Sequence, residues 1–261
     1  MLNIIAGIIE KGAPPPPSSP VAGYVLWLDA SDTGTIASSG GAVSQWTDKS
    51  ASAYVFTQAT AAYKPQTNAA TQNSKNVLTF DGGDSLKSTA ASSTWKFIHS
   101  ADSTIFVAYA YSTLDYGVIL CTNTGSGSAI GFGFQGNSPY NPNWTVSSGT
   151  GTPLFPASNN AGNNAIDANF TYLTQISQPT NATLADRSDW RIKQGSAIKN
   201  NTQNATASTS NPAESLRIGD FDAGGNYGLG GKLGEILVYN SILSAGDILL
   251  NQQYLAGKWA V

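Results

Sequence analysis

Ser103 to Tyr111 reads S-T-I-F-V-A-Y-A-Y, and it is the stretch that decides the fold. Side chains alternate across a strand, so Ile105, Val107 and Tyr109 point one way and Phe106, Ala108 and Ala110 the other. Both sets are apolar. A strand greasy on both faces must be covered on both, which places it at the centre of a layered structure. Further strands surround it: Tyr24–Leu28, a short one in GAVSQWTDKS, Asn76–Asp81 with a Gly-Gly-Asp hairpin into SLKS, YGVILC, AIGFGFQG, Phe170–Gln178, Trp190–Gln194, and GKLGEILVYN. Gln135 to Asn169 is mostly Asn, Pro, Gly and Ser and reads as long loops. The chain ends in a helix: Ser244 is a good N-cap with Asp247 three residues on, and no breaker intervenes before Gly257. About a dozen short antiparallel strands with such centres predict two sheets packed face to face.

Composition agrees. Only 11% of the 261 residues are charged while 41% are hydrophobic, and Gly, Ser, Thr and Asn make up much of the rest. That mixture suits an all-β protein with many turns, since Gly and Asn supply the positive φ angles that hairpins need. The net charge of −3 comes without a basic run, which argues against nucleic-acid binding. Cys121 and His99 are the sole residues of their types, so an internal disulfide or a Cys/His metal cluster is excluded. The N-x-[ST] sequons at Asn143, Asn169, Asn181, Asn200 and Asn204 are expected by chance in so polar a sequence.

Four stretches in order carry a resemblance: LWLDASD (26–32) with VSQWTDKS (43–50), NVLTFDGGDSL (76–86), WKFIHSADSTIFVAY (95–109), and GKLGEILVYNSILSAGDILLNQQYLAGKW (231–259). Together they resemble the concanavalin A-like lectin/glucanase superfamily, specifically the laminin-G-like jelly-roll modules of bacterial and phage surface proteins. The resemblance implies an antiparallel two-sheet jelly-roll sandwich over 23–261, with one C-terminal helix and an extended N-terminal arm. It further implies that Trp27, Trp46, Trp95, Trp190 and Trp259 are core residues, and that ligands sit on the concave sheet or its rim loops.

The superfamily's glucanases use acidic residues spaced along one strand, since glycoside hydrolysis needs two facing carboxyls. Glu10, Glu214 and Glu235 are the three glutamates, and none has an acidic neighbour two or four positions away. Glu235 reads as a structural or edge residue. With one histidine, in FIHS, and no G-x-S-x-G, a nucleophilic triad is equally unsupported. The chain is expected not to be an enzyme. Asp81 with Asp84, and Asp220-x-Asp222 with Asn226, are oxygen-rich loops able to offer ligands to Ca²⁺, although neither is a full set. No other cofactor is indicated.

Sugar-binding surfaces combine exposed aromatic platforms with amide and carboxylate groups. SPYNPNWTV (138–146) offers Tyr140, Asn141, Asn143 and Trp144, and GDFDAGGNYG offers Phe221, Asp222, Asn226 and Tyr227. The competing reading is that these aromatics pin long loops onto the sandwich.

The N-terminus, MLNIIAGIIEKGAPPPPSSP, is a short apolar peptide followed by a proline run. It lacks the basic region and cleavage site of a secretory signal and is far shorter than the ~20 residues of a membrane-spanning helix. Pro14–Pro17 favours polyproline II, so residues 13–22 form a stiff tether of which Ala13–Pro20 spans about 20–25 Å. Residues 1–12 then read as a docking peptide presenting Leu2, Ile4, Ile5, Ile8 and Ile9 to a partner. The expectation is a structural or adhesion protein on the surface of a tailed-phage virion, made in the host cytoplasm as a capsid decoration or tail-fibre appendage. Its partners would be other virion proteins through residues 1–13, a host surface glycan, and further copies of itself in an oligomer or symmetric array. The alternative is a bacterial carbohydrate-binding lectin module, and a glycan-degrading enzyme is less favoured.

Overall fold

The computed structural model describes residues 15–112, 117–125, 129–137, 141–147, 153–154, 169–195, 207–222, 224–225 and 227–261. The strands run from β1 (Leu26–Asp29), β2 (Ile36–Ser39), β3 (Ala42–Thr47) and β4 (Val55–Thr57) to β5 (Gln66–Gln72), β6 (Lys75–Asp81) and β7 (Leu86–Ser88). After a one-turn helix, α1 (Phe97–Ser100), come β8 (Ser103–Tyr111), β9 (Gly117–Cys121), β10 (Gly131–Asn137), β11 (Asn141–Ser147) and β12 (Pro153–Leu154). The chain closes with β13 (Thr171–Ser177), β14 (Ser188–Ile192), β15 (Arg217–Ile218), β16 (Gly230–Tyr239) and the helix α2 (Ala245–Trp259).

All named strands pair antiparallel, in the order β12-β11-β10-β9-β15-β7-β4-β3-β5-β6-β16-β8-β13-β14, with β1 on β16 and β2 on β3. One pair, Ala42 with Gln66, joins the two halves of this path between β3 and β5. The path curls there, and the halves face each other across a shared core. Trp46, Phe56, Leu120 and Phe132 come from one half and Leu78, Val107, Leu173 and Ile236 from the other. The chain is thus an all-β, two-layer antiparallel sandwich.

β8 explains its own sequence. Ile105, Val107, Tyr109 and Tyr111 enter the core between the layers, whereas Phe106, Ala108 and Ala110 enter a second cluster beneath α2. There they meet Tyr172, Leu237, Tyr239, Ile248, Tyr254, Leu255 and Trp259. The second apolar face is therefore covered by a helix and the first by a sheet. The α2 start follows the sequence: the Asp247 N–H donates to the Ser244 hydroxyl oxygen at 3.1 Å. Its end does not, because the helix passes through Gly257 to Trp259 and stops at a left-handed Ala260. Gly257 serves a close approach instead: a Cβ there would lie 2.6 Å from a ring carbon of Pro16.

Two readings of the sequence need correction. The 135–169 stretch is not loop throughout, because β11 pairs with β10 from Gly131–Ser147 to Asn137–Asn141. Asn and Pro argue against a strand, yet Pro142 is tolerated in the strand next to the sheet's end. Among the described residues the terminal β12 pairs only with Val146 and Ser147 of β11 and leaves Pro142 to pair on one side, with Gly136 of β10. Trp46, Trp95, Trp190 and Trp259 are core, but Trp27 is only half-buried.

Residues 15–22 lie on the domain rather than away from it. Pro20 is buried, the Val21 N–H donates to Asn251 Oδ1 at 2.9 Å, and the Tyr239 hydroxyl donates to the Val21 carbonyl at 2.6 Å.

Candidate functional site

One rim of the sandwich gathers the turn after β6 and the 219–229 loop. The Gly224 N–H donates to the Gly83 carbonyl, and a Cβ on Gly219 would meet the Asp84 carbonyl oxygen at 2.5 Å. Glycine is required at 219, where φ is +96° and the neighbouring backbone leaves no room. Phe221 packs over Gly125 and Gly133, and Tyr227 sits edge-on to it with ring centroids 6.4 Å apart. Tyr227 is 52% exposed and Asp222 is exposed beside it. A cavity of about 280 Å³ lined by Lys64, Gln66, Phe80, Asp81 and Asp84 lies at the turn after β6.

The rim carboxylates differ in partners. Asp84 is buried and accepts from the Asp81 N–H at 3.0 Å; burial pushes its carboxyl up to about 6. Asp220 has no exposed surface, and its two oxygens lack hydrogen bonds although the N–H groups of Phe221, Asp222 and Gly225 face them. Burial raises that carboxyl too. Among the described residues no group of three His, Cys, Asp or Glu is placed to hold a metal ion.

The Asp84 shift fixes a pH response. An unfolded aspartate titrates near 3.8 and the folded one near 6, so the native state holds the extra proton between these values. Stability should fall as pH rises through that window and then level off. Asp84→Asn, which keeps the acceptor oxygen, should flatten the fall and melt higher than the parent at pH 7.5. Thermal melts of both proteins at pH 4.5 and 7.5 check this.

Of the sequence-predicted ligand residues, the rim holds Asp222 and Tyr227. Asn226 and Tyr140 lie outside the described residues, as do Leu2, Ile4, Ile5, Ile8 and Ile9. Asn141, Asn143 and Trp144 occupy β11, opposite Asn137, Gln135 and Phe134. His99 is buried in α1 with Nε2 3.2 Å from the Ser210 carbonyl, and burial lowers its pKa.

A second constellation escaped the sequence. Glu235 is not an edge residue: it lies mid-strand in β16, directly opposite Asp29 of β1, and has no exposed surface. One oxygen accepts from Trp27 Nε1 at 2.6 Å and the Tyr254 hydroxyl at 2.7 Å; the other accepts from Trp259 Nε1 at 3.0 Å and Lys258 Nζ at 2.9 Å. Lys258 also contacts Asp29 Oδ1 at 2.7 Å, while Lys49 bridges Asp29 and Asp32 and lies 4.2 Å above the Trp27 ring. Burial works to raise the Asp29 carboxyl, but Lys258, Ser31 and Lys49 together hold it below the usual range. For Glu235 burial wins and the carboxyl is raised, with Lys258 opposing. A cavity of about 440 Å³ lined by Pro16, Trp27, Asp29, Lys49, Tyr254 and Lys258 opens onto the cluster. Four internal donors and complete burial keep Glu235 itself from a sugar's glycosidic oxygen.

No family model matches the chain, and no curated protein matches it. Solved structures do. The binding domain of botulinum neurotoxin DC, in complex with SialylT, is similar at a TM-score of 0.55 and 8% identity, over 90% of this chain and 52% of that one. A mutant Trypanosoma rangeli sialidase displaying trans-sialidase activity is similar at 0.56 and 14% identity, over 92% and 34%. Botulinum neurotoxin type C, whose cell entry is described as dependent upon interaction with two ganglioside molecules, gives 0.52 and 10% over 89% and 51%. The likeness shows a shared β-sandwich fold. The chain spans about half the length of the neurotoxin structures and about a third of the sialidase.

Proposed function

We propose that this chain is a non-catalytic glycan-binding module whose ligand lies on the rim formed by the 81–85 turn and the 219–229 loop. The observation that carries the reading is Tyr227, an aromatic ring left half in solvent and braced by Phe221, with the exposed carboxylate of Asp222 next in sequence to Phe221. A sugar presents an apolar C–H face to such a ring and hydroxyls to nearby carboxylates. Sialylated glycans are the first probe, because the similar neurotoxin and sialidase structures are described with sialylated or ganglioside ligands or as sialidases. Tyr227→Ala should weaken glycan binding about 10-fold, the worth of one stacking contact, with the melting temperature unchanged. Blank glycan arrays, or equal binding by the variant, would sink the reading.

A tailed-phage virion-surface location is the wider proposal. It is supported by the apolar residues 1–12 and the proline run that follows them. Pro16, at the described end of the proline run, packs on Gly257 of α2. A chain lacking residues 1–13 should keep its melting temperature and no longer co-sediment with particles. Retained incorporation would remove the docking role.

A further inference from the structure

We propose that Asp29 and Lys258 become joined by a self-catalysed isopeptide bond, with Glu235 as the proton carrier, so that β1 is covalently tied to α2. Lys258 Nζ lies 2.7 Å from Asp29 Oδ1 and 2.9 Å from Glu235 Oε2. The three side chains are 11%, 5% and 0% exposed, respectively. An oxygen contact that short brings the nitrogen to the carboxyl carbon within about 3–3.5 Å, the separation of a near-attack pair. Trp27, Tyr254 and Trp259 donate to Glu235 and so fix the carrier.

In water an amine and a carboxylate do not condense, because both ions are solvated and water drives the reverse reaction. Two groups locked in contact inside a fold have an effective concentration of about 10⁵–10⁸ M, and the product water can leave through the cavity that Asp29, Tyr254 and Lys258 line. The step balances without any co-reactant. One proton passes from the Lys258 ammonium across the 2.7 Å contact to Asp29 Oδ1, which makes the carboxyl neutral, and the freed nitrogen pair attacks its Cγ. Negative charge gathers on Oδ2, which Lys49 Nζ contacts at 3.2 Å. Glu235 then takes a second proton from the nitrogen and hands it to Oδ1, which Ser31 also contacts; Oδ1 leaves as water while the electron pair on Oδ2 re-forms the carbonyl. An ammonium and a carboxylate become an amide and water, the two charges cancel, and Glu235 returns to its starting state. Burial raises the Glu235 carboxyl, as befits a group that must take up a proton.

The bond would close a covalent loop from residue 29 to residue 258, beside the point where Pro16 and Pro17 cross α2. A pull on the N-terminal segment would then be carried by a covalent bond and not by the sheet alone.

Intact mass spectrometry of the full chain tests this. The expected mass is one water below that of the sequence, and trypsin should release residues 12–49 joined to 233–261, uncut after Lys258. Lys258→Arg, Asp29→Ala and Glu235→Gln should each restore the full mass, and on a denaturing gel each should run differently from the parent. A parent chain at full mass, or a water deficit that digestion places elsewhere, such as a succinimide at Asp81-Gly82, overturns the proposal and leaves an ion pair. The parent's own mass decides, whether or not a variant folds.

Discussion

Replacing Glu235 with alanine should lower the unfolding free energy by about 3–5 kcal/mol, the usual cost of removing one partner from a buried charge cluster. The reason is what remains behind. Trp27 Nε1, Trp259 Nε1 and the Tyr254 hydroxyl would each lose the buried acceptor they now share. Lys258 would retain Asp29 but lose its second carboxylate. Three elements meet at this one side chain: β1 through Trp27, β16 through its own backbone, and α2 through Tyr254, Lys258 and Trp259. Glu235→Gln keeps the shape and two acceptor sites on its oxygen, so it should recover part of the loss. Urea unfolding of the parent and both variants checks the order parent, Gln, Ala. Equal midpoints for parent and Ala would show that the cluster contributes nothing to stability.

Phe106→Ala should cost about 3–5 kcal/mol as well, by a different route. Phe106 is fully buried under α2 and meets Tyr239 edge-on at 6.1 Å. Removing its ring leaves a cavity between two rigid surfaces, a sheet and a helix, and neither can collapse into it without breaking hydrogen bonds. Ala108 and Ala110 follow on the same face and are too small to fill the space. At the 2–4 °C per kcal/mol expected for a domain of roughly this size, the melting temperature should drop by on the order of 10 °C. A drop under 2 °C would mean that α2 follows the sheet inward or is dispensable.

Much of the fold was legible because periodicity reports burial directly. STIFVAYAY declared two covered faces, and the structure supplies a sheet for one and a helix for the other. Ser244 and Asp247 marked the helix start, since an N-cap is a local event within four residues. β11 was hidden because Asn and Pro carry the statistics of loops, and only pairing with β10 overrides them. The rim was half legible: Asp222 and Tyr227 drew attention as an aromatic and a carboxylate in a Gly-rich loop. The turn at 81–85 that joins them was read only as a separate acidic pair.

The charge cluster marks the boundary between the two kinds of information. A search for catalytic or structural carboxylates along one strand finds Glu235 alone, because its counterpart Asp29 is on another strand, 206 positions earlier in the numbering. Each member did stand in a stretch that carried the resemblance: LWLDASD holds Asp29, GEILVYN holds Glu235 and YLAGKW holds Lys258. The sequence by itself determined the all-β class, the doubly buried central strand, the capped terminal helix and the aromatic rim loop, because these follow from local spacing and chemistry. Tertiary structure alone decided that Asp29, Glu235 and Lys258 meet. Contact between residues so far apart depends on strand register and helix docking, which set distances that no local pattern encodes.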